Sequence, residues 1–181
     1  MLEAEVRREL QGLALQVGET TGFDVLVGDA VVVLFQAPGP NLIGQVPNKG
    51  PFSQDTWCTS TGRLFLAMAG DDDVRANHRG AVEMFATKRP GRDLFAELAT
   101  IRERGYSIVH GELSPGASAL AVPVKKGTQT VAAVWVGGPT ERLARHDEAE
   151  LRAKAENTAN NISRLLSASR PEVELMWNSR S

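Results

Sequence analysis

Few side chains in this chain are of the kinds that carry out reactions, and their spacing does not gather them. Its one cysteine, Cys58, stands beside the hydroxyl run Thr59-Ser60-Thr61, next to an expected helix start. A helix N-terminus lowers a thiol pKa and would make Cys58 a nucleophile; the competing reading is a small buried residue, the common fate of a free cysteine. No second cysteine exists to pair with it or to resolve a sulfenic acid. His78, His110 and His146 are far apart in sequence, whereas metal sites want clustered ligands. Asp71-Asp72-Asp73 with His78 could gather an ion, but acids at a helix start are favoured by the helix dipole alone. The hydroxyls of Thr56, Thr59, Ser60 and Thr61 lack the GxSxG elbow of a serine nucleophile. They read as helix caps, as the lining of a small-molecule pocket, or as both. Glu112 and Glu141 have the chemistry of an acid–base pair, yet nothing in the sequence brings them together. There is no GxGxxG before a helix and no P-loop, so no cofactor is implied. Trp135, facing small residues across a hairpin, is either core packing or the wall of an apolar pocket.

The elements that must hold these residues are legible from periodicity. Leu2, Val6, Leu10, Leu13 and Val17 form one apolar helix stripe, closed at Gly18. GFDVLV and AVVVLFQ then read as two strands joined at Gly28-Asp29, a hairpin signal. Leu42–Val46 is a weaker third strand, and Pro47–Ser53 a loop. Thr59–Ala69 has helical composition with Thr59 or Ser60 as cap. Asp71–His78 is a short helix, Ala86–Gly91 a loop, and Leu94, Phe95, Leu98 and Ile101 mark a helix ended by Gly105. Tyr106–Val109, Ala117–Val124 and Thr130–Gly137 are strands, the last two paired across Lys-Lys-Gly-Thr-Gln. Pro123 cannot donate to a ladder, so it belongs at a strand end or facing outward. Strand periodicity puts Ala117 with Ala119, and Trp135 with Gly137, on common faces. Leu151, Ala155, Ala159, Ile162 and Leu166 make a final helix stripe, with an aperiodic tail from Ser167 that is expected to be loose.

Strands in two hairpin-joined blocks, flanked by a long helix at each end, predict an α+β fold. The expected architecture is a GAF- or PAS-like, mostly antiparallel sheet of about six strands, with both terminal helices on one face. A single domain over residues 1–166 accounts for the chain. The composition is ordinary, with 181 residues, 42% hydrophobic and 23% charged, and a net charge of −2. The pI of about 6.0 and the scattered basic pairs Arg7-Arg8, Lys88-Arg89 and Lys125-Lys126 argue against this segment itself gripping nucleic acid. The alternating charges of the first twenty residues are not those of a signal peptide, and no apolar run approaches a membrane span. A cytoplasmic setting is expected.

Two stretches carry a resemblance. The helix start Thr59-Ser60-Thr61-Gly62-Arg63-Leu64-Phe65-Leu66-Ala67 and the long segment Glu103–Pro139 resemble the ligand-sensing domain of IclR-type transcription regulators. The second stretch holds Gly105-Tyr106, then Gly111-Glu112-Leu113-Ser114-Pro115-Gly116, an Ala-rich strand, and a strand closing on Gly138-Pro139. The resemblance covers roughly Leu2 to Leu166. It implies a small-molecule-sensing domain that associates with its own copies and controls a winged helix-turn-helix that this chain lacks. Met1 leads straight into the first helix, so a fragment of a longer regulator is expected.

Carried over position by position, the family's pocket implies Ser60 and Thr61 from the helix start, Ile43 and Val46 from the third strand, and Val109, Ala117, Ala119, Trp135 and Gly137 from the last three strands. Val109, Ala119, Trp135 and Gly137 stand where small-acid sensors of the family have polar residues. A buried carboxylate needs donors or a compensating charge, and only hydroxyls and backbone groups are expected here. The resemblance with these departures therefore implies an apolar or aromatic effector stacked on Trp135 rather than a glyoxylate-like or pyruvate-like acid. Two alternatives stand beside it. One is a purely structural assembly domain whose pocket Trp135 fills. The other is an enzyme on the same scaffold using Cys58.

Overall fold

The computed structural model describes residues 2–41 and 52–168, with no side chains at positions 52–54. Its elements in order are α1 (Leu2–Val17), β1 (Thr20–Val27), β2 (Ala30–Ala37), β3 (Phe52–Asp55), α2 (Ser60–Ala69), α3 (Asp71–Asn77), α4 (Arg79–Lys88), α5 (Leu94–Arg104), β4 (Ser107–His110), β5 (Ala117–Lys126), β6 (Gln129–Pro139), α6 (Thr140–Leu143) and α7 (Glu148–Ala168). The described strands form one sheet in the order β3-β2-β1-β6-β5-β4, every neighbouring pair antiparallel. Residues 42–51 and 169–181 lie outside the described residues, and with them the expected strand Leu42–Val46 and most of the expected tail.

Helices cover both faces of the sheet, and each face has its own apolar core. The stripes Val6, Leu10, Leu13 and Val17 of α1 and Leu151, Ala155, Ala159 and Ile162 of α7 pack together on Phe23, Leu120, Val122, Val134 and Val136. Both terminal helices thus share one face, as their periodicity predicts. The opposite face carries α2 to α5 through Leu64, Leu66, Val74, Phe85, Leu98 and Ile101, against Val31, Val33, Ala121, Ala133 and Trp135.

Local signals explain most boundaries. Gly28, at φ 57°, opens the two-residue turn between β1 and β2, where its missing Cβ removes the penalty of the left-handed region. The Thr59 hydroxyl accepts from the Gly62 N–H at 3.0 Å and caps α2. Asp93 caps α5 in the same way, from Phe95. Asp147 stands at the start of α7, its carboxylate accepting from the Glu150 N–H at 2.9 Å.

Pro123 faces Ala133 of β6, beyond Ala121 where the pairing of β4 with β5 ends. Its missing N–H is therefore harmless although the proline lies well inside the strand. Two expectations are corrected. Helix α4 runs through Lys88, so the loop expected from Ala86 begins later; Phe85 is buried against α2 and draws that last turn into the helix. Phe52 and Ser53, assigned to a loop, begin β3, because Val33 and Val32 of β2 supply a backbone edge for them.

One irregularity matters for the site. The β1–β2 register shifts between Phe23 and Asp24, so that Phe23 faces Phe35 and Asp24 faces Val33, leaving Leu34 as an extra residue in β2. A bulge of this kind resets the in–out alternation. Leu34 and Phe35 both pack toward the α1–α7 side, and Gln36 is turned to the other face, the one that Val31 and Val33 share with α2.

Candidate functional site

On the α2 side, between the start of that helix and strands β1, β2, β4, β5 and β6, lies a cavity of about 300 Å³, at the lower end of small-molecule sites. Seven of the nine residues singled out in the sequence line it: Ser60, Thr61, Val109, Ala117, Ala119, Trp135 and Gly137. The other two, Ile43 and Val46, lie outside the described residues. The loop from Gly111 to Gly116 adds Leu113 and Pro115, and Gly138 and Pro139 complete the β6 side.

The indole of Trp135 lies flat on the sheet and leaves the space above it open. Gly22 is its partner across β1. A Cβ on Gly22 would come within 2.3 Å of the indole, and one on Gly137 within 3.1 Å. Two residues without side chains therefore make the bed on which the ring rests. The Trp135 Nε1–H donates to Asp24 Oδ1 at 2.7 Å, which fixes the ring's rotation.

Asp24 and Gln36 are the polar residues that sequence reasoning missed, and they correct the expectation that only hydroxyls and backbone groups face the cavity. Asp24 is 1% exposed. Burial pushes its carboxyl up to about 7, against the hydrogen bonds of Trp135 and Thr61 that favour the ionised form. The Oε1 of Gln36 is buried with no hydrogen-bond partner. The signal for Asp24 was a lone carboxylate inside the apolar strand GFDVLV. Gln36 had no such signal, because simple alternation from Val33 assigns it to the opposite face and only the bulge brings it round.

Two further polar clusters near the cavity are bonded within themselves. The Ser118 hydroxyl bonds both His110 Nδ1, at 2.9 Å, and Thr140 Oγ1, at 2.7 Å. Behind the start of α2, Arg63 is buried with its side chain 2% exposed. It donates to Glu112 and, at 3.0 Å, to Glu97, and its guanidinium stands 4.9 Å from the ring of Phe85. Arg89 and Arg92 also reach Glu112, at 3.1 and 3.3 Å. Burial raises the Glu112 carboxyl, but bonds and charge from these arginines outweigh it and hold the group below its ordinary range. Glu112 is thus the anchor tying the cavity's loop to α2 and to the connection between α4 and α5, and its partners are arginines, not Glu141.

The other reactive candidates are accounted for. Cys58 is buried, and burial followed by the charge of Asp55 pushes its thiol up to about 11, so it stays protonated at neutral pH and is a poor nucleophile. His78 lies between Asp29, at 2.8 Å, and Asp73, at 3.6 Å. Among the described residues, no three His, Cys, Asp or Glu side chains come together in a way that could hold a metal ion. No described helix is long and apolar enough to cross a membrane.

Comparison with known proteins gives this architecture a lineage. Residues 2–164 match the family described as bacterial transcriptional regulator IclR C-terminal. The chain is 31% identical over 147 residues to the HTH-type transcriptional regulator BhcR of Paracoccus denitrificans (strain Pd 1222), covering 79% of this chain and 52% of that protein. It is 27% identical over 143 residues to the Pca regulon regulatory protein of Pseudomonas putida, covering 76% and 49%. The chain thus spans about half the length of the curated relatives it matches. Its fold is shared with the crystal structure of transcriptional regulator YaiJ, at a TM-score of 0.79 and 23% identity over 90% of this chain and 94% of that one. With the family model matched from the first helix to the last, the chain belongs to the IclR C-terminal family of bacterial transcriptional regulators.

Proposed function

We propose that this chain is the effector-sensing and self-associating domain of a cytoplasmic IclR-type regulator, and that its effector occupies the cavity beside Trp135. The observation that carries this reading is the open space of about 300 Å³ over an indole held down by Gly22, Gly137 and Asp24. A Trp-filled domain built only for assembly would have that volume packed. The effector has an apolar or aromatic body, matched to Val109, Ala117, Ala119 and the indole face. Occupancy changes DNA affinity only if the effector binds two arrangements of the regulator unequally. DNA is contacted by a helix-turn-helix segment outside this chain, as the half-length match to the curated relatives suggests.

A thermal-shift screen of aromatic and aliphatic metabolites tests the sensing role. At least one aromatic compound should raise the melting temperature, and millimolar glyoxylate and pyruvate should not. A clear rise with either small acid, or silence from every compound, would defeat the reading. Light scattering on the purified chain tests self-association; a monomer throughout the micromolar range would remove that part of it.

A further inference from the structure

We infer that the cavity selects ligands presenting a hydrogen-bond donor or a positive charge on an apolar or aromatic body, received by Asp24 and Gln36, and that it discriminates against carboxylates. The inference rests on the reading of the cavity as an effector site and specifies the chemistry of that effector.

The argument is one of unsatisfied acceptors. Asp24 is 1% exposed and accepts from the Trp135 indole at 2.7 Å. A carboxylate offers about four acceptor positions, so capacity remains. Gln36 adds a buried Oε1 with no partner. Among the described residues lining the cavity there is no Lys, Arg or His. Arg63, the nearest cation along α2, is spent on Glu97 and Glu112. A ligand N–H or O–H would complete both acceptors, and a cation would also compensate the buried charge.

A ligand carboxylate meets the opposite situation. The start of a helix ordinarily welcomes an anion, but here the Gly62 N–H is already taken by the Thr59 hydroxyl. Asp24 lines the same cavity, so a ligand carboxylate would share it with a second carboxyl and with no lining cation to compensate either.

The test is isothermal titration of the intact 181-residue chain with benzylamine, phenol, toluene and benzoate, which share one ring and differ in the group offered. Benzylamine and phenol should bind about tenfold more tightly than benzoate, the range of one hydrogen bond to a charged group. Benzoate binding as tightly as benzylamine would overturn the inference while leaving the cavity a binding site. Failure of all four, toluene included, would overturn both the inference and the effector-site reading. In Asp24→Asn the benzylamine preference should collapse to within about threefold of benzoate; an undiminished preference would overturn the role of Asp24. Gln36→Leu leaves Asp24 in place and serves if the first variant does not fold. It should weaken phenol severalfold and leave toluene unchanged, and equal effects on the two would count against the inference.

Discussion

The two faces of the sheet solve different problems with the same strands. On the α1–α7 side, Leu10, Ala155 and Ile162 are completely buried in a core of apolar side chains. On the α2 side, the apolar core coexists with a cavity, a buried carboxyl, a buried arginine and a buried glutamate. Dense packing holds a protein in one state, whereas void and imperfectly matched polar groups cost stability and are kept where a ligand can repair them. The face with defects is thus the one that can respond to a ligand. Within it, Asp24 and Glu112 form a second contrast. Both are buried carboxyls, but Asp24 lacks a cationic partner and is raised, while Glu112 has three arginines and is lowered.

This contrast can be broken by substitution. The largest effect is expected from Arg63→Ala, which leaves Glu112 and Glu97 without their central guanidinium. Removing one partner of a buried pair costs about 3–5 kcal/mol, readable by urea denaturation; a loss no larger than a surface substitution gives would mean that Arg89 and Arg92 suffice.

Asp24→Asn should act in the opposite direction. A carboxyl raised from 3.8 to about 7 by folding contributes stability fully present below 3.8 and lost as pH climbs through about 7. The asparagine variant should therefore be more stable than the parent at pH 8, by at most about 4 kcal/mol, with the gain gone by about pH 4. A gain independent of pH would show that Asp24 is not the group responsible.

Leu10→Ala probes the dry face and should cost about 3 kcal/mol. The smallest and sharpest test is a matched pair. Ala155→Leu overpacks the α1–α7 core and should cost about 2 kcal/mol. Ala119→Leu projects into the cavity and should cost under about 1 kcal/mol while abolishing binding of phenol. Equal losses from the two would erase the distinction between the faces.

Much of this was legible in the sequence because it rests on strong periodicity or turn chemistry. The stripes of α1 and α7, the Gly28-Asp29 turn, the Thr59 cap and the β5–β6 hairpin are all local signals. Seven residues named from the family resemblance surround one cavity for a related reason: they lie on the helix start and strands whose register those signals set. Asp24 and Gln36 escaped because their roles depend on what lies across the sheet. A strand residue's face follows from alternation only while the ladder is regular, and the extra Leu34 breaks that rule between Val33 and Gln36. The partners of Glu112 escaped for a different reason. Arg63, Arg89 and Arg92 come from separate helices and loops, and no local pattern announces where such side chains converge.

The bed under Trp135 has a consequence for relatives of this chain. A side chain at position 22 and an indole placed as that of Trp135 cannot coexist, since even a methyl group at 22 would sit 2.3 Å from the ring. A substitution at 22 requires the ring to move or a smaller residue to stand at 135. Relatives that carry a side chain at 22 should therefore have a smaller residue at 135 and a deeper cavity, and effector preference across the family should divide along that pairing.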